Sequence, residues 1–156
     1  VKDQSTWASW SDVESLELEC EGDKEPNGVG AIRKISGSSG DEIRERIIEI
    51  VENKLIRYEL LSGLPMAKYE GLTEFTPQPD GRTLVRWTST FEPESPELFG
   101  ELSLFVNRVV RNMVRQVSLA AEIPALRERP IRKPHTPRGS TRQTVMHDLP
   151  RYQRLY

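Results

Sequence analysis

The stretch RTLVRWTSTFEPESPELFGELSLFVNRVVRNMVRQVSLAAE, residues 82–122, changes its hydrophobic period once, and this change determines the predicted fold. Its first ten residues alternate between polar side chains and a face of apolar or small ones, namely Val85, Trp87, Ser89 and Phe91. A period of two indicates a β-strand with one buried face. After Pro96 apolar residues recur every three or four positions, which indicates an amphipathic helix.

The predicted helix begins near Ser95 and ends near Glu122. Ser95 is a suitable N-cap and Pro96 a favoured first helical residue, whereas Pro124 cannot continue a helix. Its predicted apolar stripe consists of Leu98, Leu102, Phe105, Val106, Val109, Met113 and Val117. Burial of this stripe would dock the helix firmly, because each such side chain contributes about 1.5–3 kcal/mol.

Five more strands are predicted upstream, separated by short turns rich in glycine, proline and asparagine. They cover residues 13–21, about 31–35, 41–52, 55–61 and about 69–75. In the first strand, parity turns Leu16, Leu18 and Cys20 to the apolar side. Six consecutive strands predict an antiparallel meander, which together with the helix gives an α+β fold. A shorter helix is predicted over Val1–Trp10.

The composition fits one globular domain without a membrane span. Hydrophobic residues make up 36% of the 156 residues and charged residues 29%. No run approaches the roughly 18 apolar residues that a membrane span needs, and no signal peptide is recognisable. A lone cysteine, Cys20, excludes an internal disulfide, so we expect a cytoplasmic protein in which Cys20 is an inert core thiol.

Charge divides the chain into a body, residues 1–124, and a basic, proline-rich tail, residues 125–156. Residues 127–156 carry a net charge of +6 and the remainder −8. The acidic body argues against nucleic-acid binding. We expect the tail to lie along an acidic protein surface where it is ordered, and a homodimer formed through it is one expectation.

Because the chain starts at Val1 within an amphipathic segment, we also expect upstream residues to be missing.

Five short segments carry a resemblance to a known family. They are WSDVE at 10–14, GVGAIR at 28–33, RER at 44–46, YELL at 58–61 and RWTSTFEP at 86–93. In their order and spacing, residues 10–122 resemble the START-like superfamily, in its polyketide cyclase/dehydrase-like branch. The initial strand and short helix of that family are largely absent here, and the tail has no counterpart.

The resemblance implies a helix-grip fold, in which a curved antiparallel sheet wraps around the long C-terminal helix and encloses an apolar cavity. Members of the superfamily bind lipids, sterols, hormones or polyketides, and some catalyse cyclisation or dehydration. The resemblance therefore implies that this chain holds an apolar small molecule between the sheet and the helix.

Arg33 and Glu45 are the candidate polar residues of such a site. Each shares the parity of apolar neighbours, and their strands are adjacent in a meander, so the two side chains should meet. A buried ion pair is costly to desolvate, which suggests a functional role; a partly wet, merely structural pair at the rim is the alternative, and it is somewhat favoured. The other predicted ligand-binding residues are Trp10, Tyr58, Tyr69, Trp87, Phe91, Phe105, Val109 and Met113. Core packing is the favoured role for any one of the aromatic residues, but several of them should contact the cavity.

Other kinds of site have little support. Both histidines, His135 and His147, lie in the tail, so the body lacks a histidine base. No group of Cys, His and carboxylate residues has metal-ligand spacing, and we expect neither a metal nor a cofactor. Three functions stay open: binding or transport of an apolar molecule, a cyclase or dehydratase that uses Glu45 and Arg33, and an interaction protein that docks through its tail.

Overall fold

The described residues contain a single antiparallel sheet and one long helix. The structure is a computed structural model that describes residues 7–11, 13–37, 40 and 42–122. In chain order the elements are α1 (Trp7–Trp10), β1 (Val13–Cys20), β2 (Ile32–Gly37), β3 (Glu42–Val51), β4 (Leu55–Ser62), β5 (Met66–Pro77), β6 (Thr83–Pro93), a 3₁₀ helix (Pro96–Leu98) and α2 (Phe99–Glu122).

The sheet is a meander in which each strand pairs with the next one along the chain. Its order is β1-β2-β3-β4-β5-β6, and every pairing is antiparallel. Register shifts interrupt the β1–β2, β3–β4 and β5–β6 pairings. Such bulges bend the strands and increase their twist, which helps the sheet to curve. The predicted α+β fold, with a curved sheet and a long C-terminal helix, is confirmed.

The predicted turn at residues 53–54 joins β3 to β4. Asn53 adopts a φ of 59°, in the left-handed region, and the amide of Lys54 donates to the carbonyl of Val51. Asparagine tolerates this conformation better than most residues, because its short polar side chain can bond locally. The turn sets the two strands antiparallel, so that Ile47 lies opposite Tyr58.

The outer face of the sheet carries cross-strand ion pairs. Lys34 contacts Glu17 and Glu42, and Arg57 contacts Glu49 and Glu70. Two further pairs join Arg44 to Glu19 and Arg46 to Glu59. All these side chains are substantially exposed, so each pair contributes little net stability. This face is a solvated surface.

The inner face holds two apolar clusters. The sheet cluster consists of Ala31, Ile47, Ile56 and Tyr58, with Ile50, Tyr69, Phe75 and Trp87 packed against it. The helix cluster consists of Met66, Leu102 and Val106, with partly buried neighbours that include Tyr69, Phe91 and Phe105. Tyr69 packs against both clusters. The helix therefore docks mainly at one end of the inner face, where α2 follows β6.

The predicted helical stripe is wrong at one of its positions. Leu102, Val106, Met113 and Ala120 are the buried residues of α2, whereas Val109 is 42% exposed. The helix cluster covers only a narrow part of the helix surface, the part that carries Leu102 and Val106. Val109 lies outside this covered part and is therefore exposed. Ser95 precedes the helical region as predicted, but its side chain makes no capping hydrogen bond, and the first turn is 3₁₀.

The prediction that Leu18 and Cys20 face the core is also wrong. Both side chains are exposed, and Cys20 is a free surface thiol rather than a core residue. Leu18 still pairs with the inward-facing Arg33, so its exposure follows from the position of β1 at the edge of the described sheet. A register shift falls between Leu18 and Cys20, and this bulge changes the direction in which Cys20 points.

Several predictions concern residues outside the described ranges. These are the residues of the predicted N-terminal helix before Trp7 and the whole tail, including its docking and its role in a homodimer. Within the described ranges, no helix is long and apolar enough to cross a membrane.

Val106 and Val109 provide a matched test of how α2 docks. Val106→Ala removes two methyl groups from a side chain that is 8% exposed in the helix cluster, so we expect a loss of about 1–3 kcal/mol in the free energy of unfolding. Val109→Ala should change it by less than about 0.5 kcal/mol. Urea unfolding of both variants measures this difference, and equal losses would contradict the observed docking.

Candidate functional site

A buried ion pair lies at the centre of the inner face. Arg33 in β2 stands directly opposite Glu45 in β3. The Nε and Nη2 atoms of Arg33 donate to the same carboxylate oxygen, Oε2 of Glu45, at 2.9 and 2.8 Å. Arg33 is 1% exposed and Glu45 9%. The predicted contact between these two residues is confirmed, and both are well shielded from water.

Two aromatic rings enclose the guanidinium group of Arg33. Its Cζ atom lies 5.0 Å from the ring centroid of Trp7 and 4.7 Å from that of Tyr58. Both distances allow cation–π attraction, which partly offsets the cost of removing the charge from water. The remaining nitrogen of the group, Nη1, is buried and has no hydrogen-bond partner in the part of the chain that the structure describes. The N–H groups of Nη1 are therefore available to donate hydrogen bonds to another molecule.

Tyr58 reaches across the sheet because the residue opposite it is a glycine. Tyr58 in β4 pairs with Gly71 in β5, and a β-carbon built on Gly71 would overlap the Tyr58 ring. The ring therefore lies over Gly71 and brings its hydroxyl to β6, where the indole Nε1 of Trp87 donates to it at 2.8 Å. Gly71 is needed here for close approach rather than for an unusual backbone conformation.

The two tyrosine hydroxyls of the inner face are neutral groups. Burial raises the pKa of Tyr58 well above its usual value, and nearby Tyr69 and Glu45 add to this effect. Burial also raises the pKa of Tyr69, against the opposing effect of its hydrogen bond with Ser89, in which the oxygens lie 2.9 Å apart. Desolvation disfavours the phenolate in both cases. Each hydroxyl can therefore both donate and accept a hydrogen bond.

The predicted ligand-binding residues fall into three groups. Arg33, Glu45, Tyr58, Tyr69 and Trp87 lie together on the inner face. Phe91 and Phe105 pack beside Tyr69 in the helix cluster, and Met113 is buried farther along α2. Val109 is exposed, and the side chain of Trp10 lies outside the described part of the structure. Their roles in ligand binding stay predictions.

Two important residues of the site were missing from the predicted set. One is Trp7, which stacks on Arg33 and meets Trp87 edge-on at 6.4 Å. A helix of one turn is too short for its periodicity to reveal which residue faces inward. The other is Gly71, and the signal for its role is the tyrosine that the strand register sets opposite it.

The polar groups of the inner face limit its possible chemistry. Glu45 is close enough to Tyr58 and Tyr69 to affect their pKa values, and its contacts with Arg33 involve Oε2 rather than Oε1. The described residues contain no group of His, Cys, Asp or Glu that could hold a metal ion. Glu45 can accept a proton or a hydrogen bond, while Arg33, Tyr58 and Tyr69 can donate to an oxygen.

A separate cavity of about 380 Å³ opens at the end of the sheet where the β3–β4 and β5–β6 turns lie. Its lining is mainly apolar and includes Ile56 and Phe75, which also belong to the sheet cluster or pack against it. Glu52, Asn53 and Thr83 supply its polar groups. The cavity thus adjoins the aromatic part of the inner face.

A family model described as polyketide cyclase / dehydrase and lipid transport matches residues 1–122. The chain belongs to this family. The family description names both enzymes and lipid transport, and it supports ligand binding in general. Among curated proteins, no sequence matches the chain.

Solved structures similar to this family member share its fold. A START superfamily protein from Mycobacterium smegmatis has a TM-score of 0.64 and 13% identity over 80% of this chain and 85% of that one. Norcoclaurine synthase from Thalictrum flavum, in complex with dopamine and hydroxybenzaldehyde, has a TM-score of 0.55 and 19% identity over 77% and 79%. A protein from Thermobifida fusca has a TM-score of 0.55 and 26% identity over 67% and 68%. Because the first two proteins are less than 25% identical to this chain, the similarity shows only that the fold is shared.

Two glycine substitutions test the arrangement of Tyr58. Gly71→Ala should displace the Tyr58 ring and break its bond with Trp87, with an expected loss of about 2–4 kcal/mol in the free energy of unfolding. Gly100→Ala adds the same methyl group in open space within α2, and should be neutral or stabilise by up to about 1 kcal/mol. Chemical denaturation compares them; a Gly71→Ala variant as stable as wild type would contradict the close approach.

Proposed function

We propose that this protein binds an apolar small molecule between the inner face of its sheet and α2, with Arg33 and Glu45 orienting a polar group of the ligand. The observation that carries the proposal is the Nη1 atom of Arg33, which is buried yet has no hydrogen-bond partner among residues 7–11, 13–37, 40 and 42–122. Because a buried donor without a partner costs about 1–3 kcal/mol, an acceptor supplied by a ligand would remove that cost.

The cost of the ion pair itself supports a functional role. Replacement of a buried pair by apolar residues of similar volume is often neutral or stabilising. The sheet cluster around the pair is otherwise apolar and aromatic, so a leucine or methionine pair would suit simple core packing. Retention of two charges there is more readily explained by recognition of a polar group than by stability.

The distribution of apolar side chains supports the same location. The sheet cluster contains no residue of α2 among its buried members, and the helix docks through the other cluster. Tyr69, Trp87, Phe91 and Phe105 are only partly buried in the folded chain. An apolar ligand beside them would remove more of their surface from water, at about 25 cal/mol per Å².

Catalysis is a second candidate function, because Oε1 of Glu45 lies outside the bonds with Arg33. That oxygen is available to remove a proton from a carbon beside a carbonyl, and Nη1 of Arg33 would stabilise the enolate oxygen. Proton exchange at the methyl group of 2-acetylnaphthalene in D₂O, followed by NMR, separates the two candidates. A catalyst accelerates exchange and loses this effect in Glu45→Gln, whereas a binding protein leaves the exchange rate at its uncatalysed value.

Obstruction of the inner face tests the location of the binding site. Ser89 faces inward on β6, next to Tyr69, and Thr90 follows it on the exposed outer face. Ser89→Phe should fill the space above the sheet and lower the affinity for 2-acetylnaphthalene at least about tenfold, which corresponds to 1.4 kcal/mol. Thr90→Phe should leave the affinity unchanged.

Isothermal titration calorimetry with 2-acetylnaphthalene measures both affinities, and circular dichroism checks that each variant is folded. Ser89→Leu serves as a smaller obstruction if Ser89→Phe fails to fold. Native mass spectrometry of the purified wild-type chain searches independently for a ligand retained from the expression host. Equal affinities for the inward and outward variants would contradict a site on the inner face.

A further inference from the structure

The balance of charge on the inner face limits the kind of polar group that a ligand can carry. Arg33 contributes one positive charge and Glu45 one negative charge, held 2.8 Å apart. Among the described residues, Tyr58 lies against Arg33 and Tyr69 is close enough to be influenced by both charges, and burial keeps the two hydroxyls neutral. The site therefore has no net charge before a ligand arrives.

A ligand carboxylate would be poorly accommodated in such a site. Near Nη1 it would be attracted by Arg33 but repelled by Glu45, which already engages the other two nitrogens of the guanidinium group. The repulsion offsets much of the attraction, because the two charges of the pair lie so close together. Much of the cost of removing the carboxylate from water would therefore remain without compensation.

The hydrogen-bonding groups of the inner face favour an uncharged acceptor. Among the described residues, Nη1 of Arg33 has no hydrogen-bond partner. The Tyr58 hydroxyl accepts a hydrogen bond from Trp87, and its own proton is shared with the hydroxyl of Tyr69. Tyr69 and Ser89 share one hydrogen bond, which uses only one of their two hydroxyl protons. Nη1 of Arg33 and one hydroxyl proton of the Tyr69–Ser89 pair therefore remain as donors for a ligand oxygen.

From this balance, and on the basis of the binding function proposed above, we infer that Glu45 sets the charge selectivity of the site. The site binds flat molecules with an uncharged carbonyl oxygen and excludes the corresponding carboxylates. The carbonyl accepts from Nη1 of Arg33. The faces of Tyr58, Tyr69 and Trp87 suit a planar, conjugated framework.

Three naphthalenes of equal size test this inference in the full wild-type chain. 2-Acetylnaphthalene carries a neutral carbonyl, 2-naphthoate a carboxylate, and 2-isopropylnaphthalene neither. We expect the ketone to bind about tenfold more tightly than the isopropyl compound, and at least about tenfold more tightly than the carboxylate, by calorimetry or saturation-transfer NMR.

Neutralisation of Glu45 should reverse the selectivity between ketone and carboxylate. In Glu45→Gln the charge of Arg33 has no counter-ion, and a ligand carboxylate can take that place. We expect 2-naphthoate to gain at least about tenfold in affinity, while 2-acetylnaphthalene loses about threefold because Arg33 is less firmly oriented. Glu59→Gln removes an equal charge from an exposed pair on the outer face and should change neither affinity.

The possible results separate this inference from the proposed function. If 2-naphthoate binds the wild type as tightly as the ketone, or gains nothing in Glu45→Gln, the selectivity inference is overturned while binding on the inner face stands. If none of the three naphthalenes binds the wild type, the proposed function falls and the inference falls with it. The three-ligand comparison on the wild type decides the case even if Glu45→Gln does not fold.

Discussion

The ion pair between Arg33 and Glu45 is the constraint on which the inner face depends. Its two residues stand opposite each other in adjacent strands, so the pair forms only in one register of β2 against β3. A slip by one residue would turn both side chains, and all their inward neighbours, to the outer face. The pair also determines what surrounds it, because a buried guanidinium group requires acceptors or aromatic faces within reach. Trp7 and Tyr58 supply those faces.

The ion pairs on the two faces of the sheet differ in their exposure to water. On the outer face, arginine and glutamate form pairs that remain in contact with water, and each can be lost at little cost. On the inner face one pair of the same chemistry is enclosed by aromatic rings, so removal of either member would leave an uncompensated charge. The same residue types therefore act as surface groups on one side and as the centre of a candidate binding site on the other.

Much of this architecture could be predicted from sequence because it depends on periodicity. The alternation of Val85, Trp87, Ser89 and Phe91, followed by helical spacing, indicates the last strand and the helix, and parity was enough to bring Arg33 to Glu45. Periodicity fails where the regular geometry fails. Cys20 follows a register shift, and Trp7 belongs to a helix of a single turn. Val109 shows a different limit of sequence analysis. An apolar stripe indicates which side of a helix faces the sheet, but not how wide a part of that side the sheet covers.

The contact of Tyr58 with Gly71 has a consequence for how this chain can change during evolution. An aromatic ring at position 58 leaves no room for a side chain at position 71, and the ring is what connects Arg33 on one side to Trp87 on the other. In related sequences, a larger residue at position 71 should therefore appear together with a smaller residue at position 58. Such paired changes would mark lineages that have exchanged the aromatic bridge for a more open inner face of the sheet.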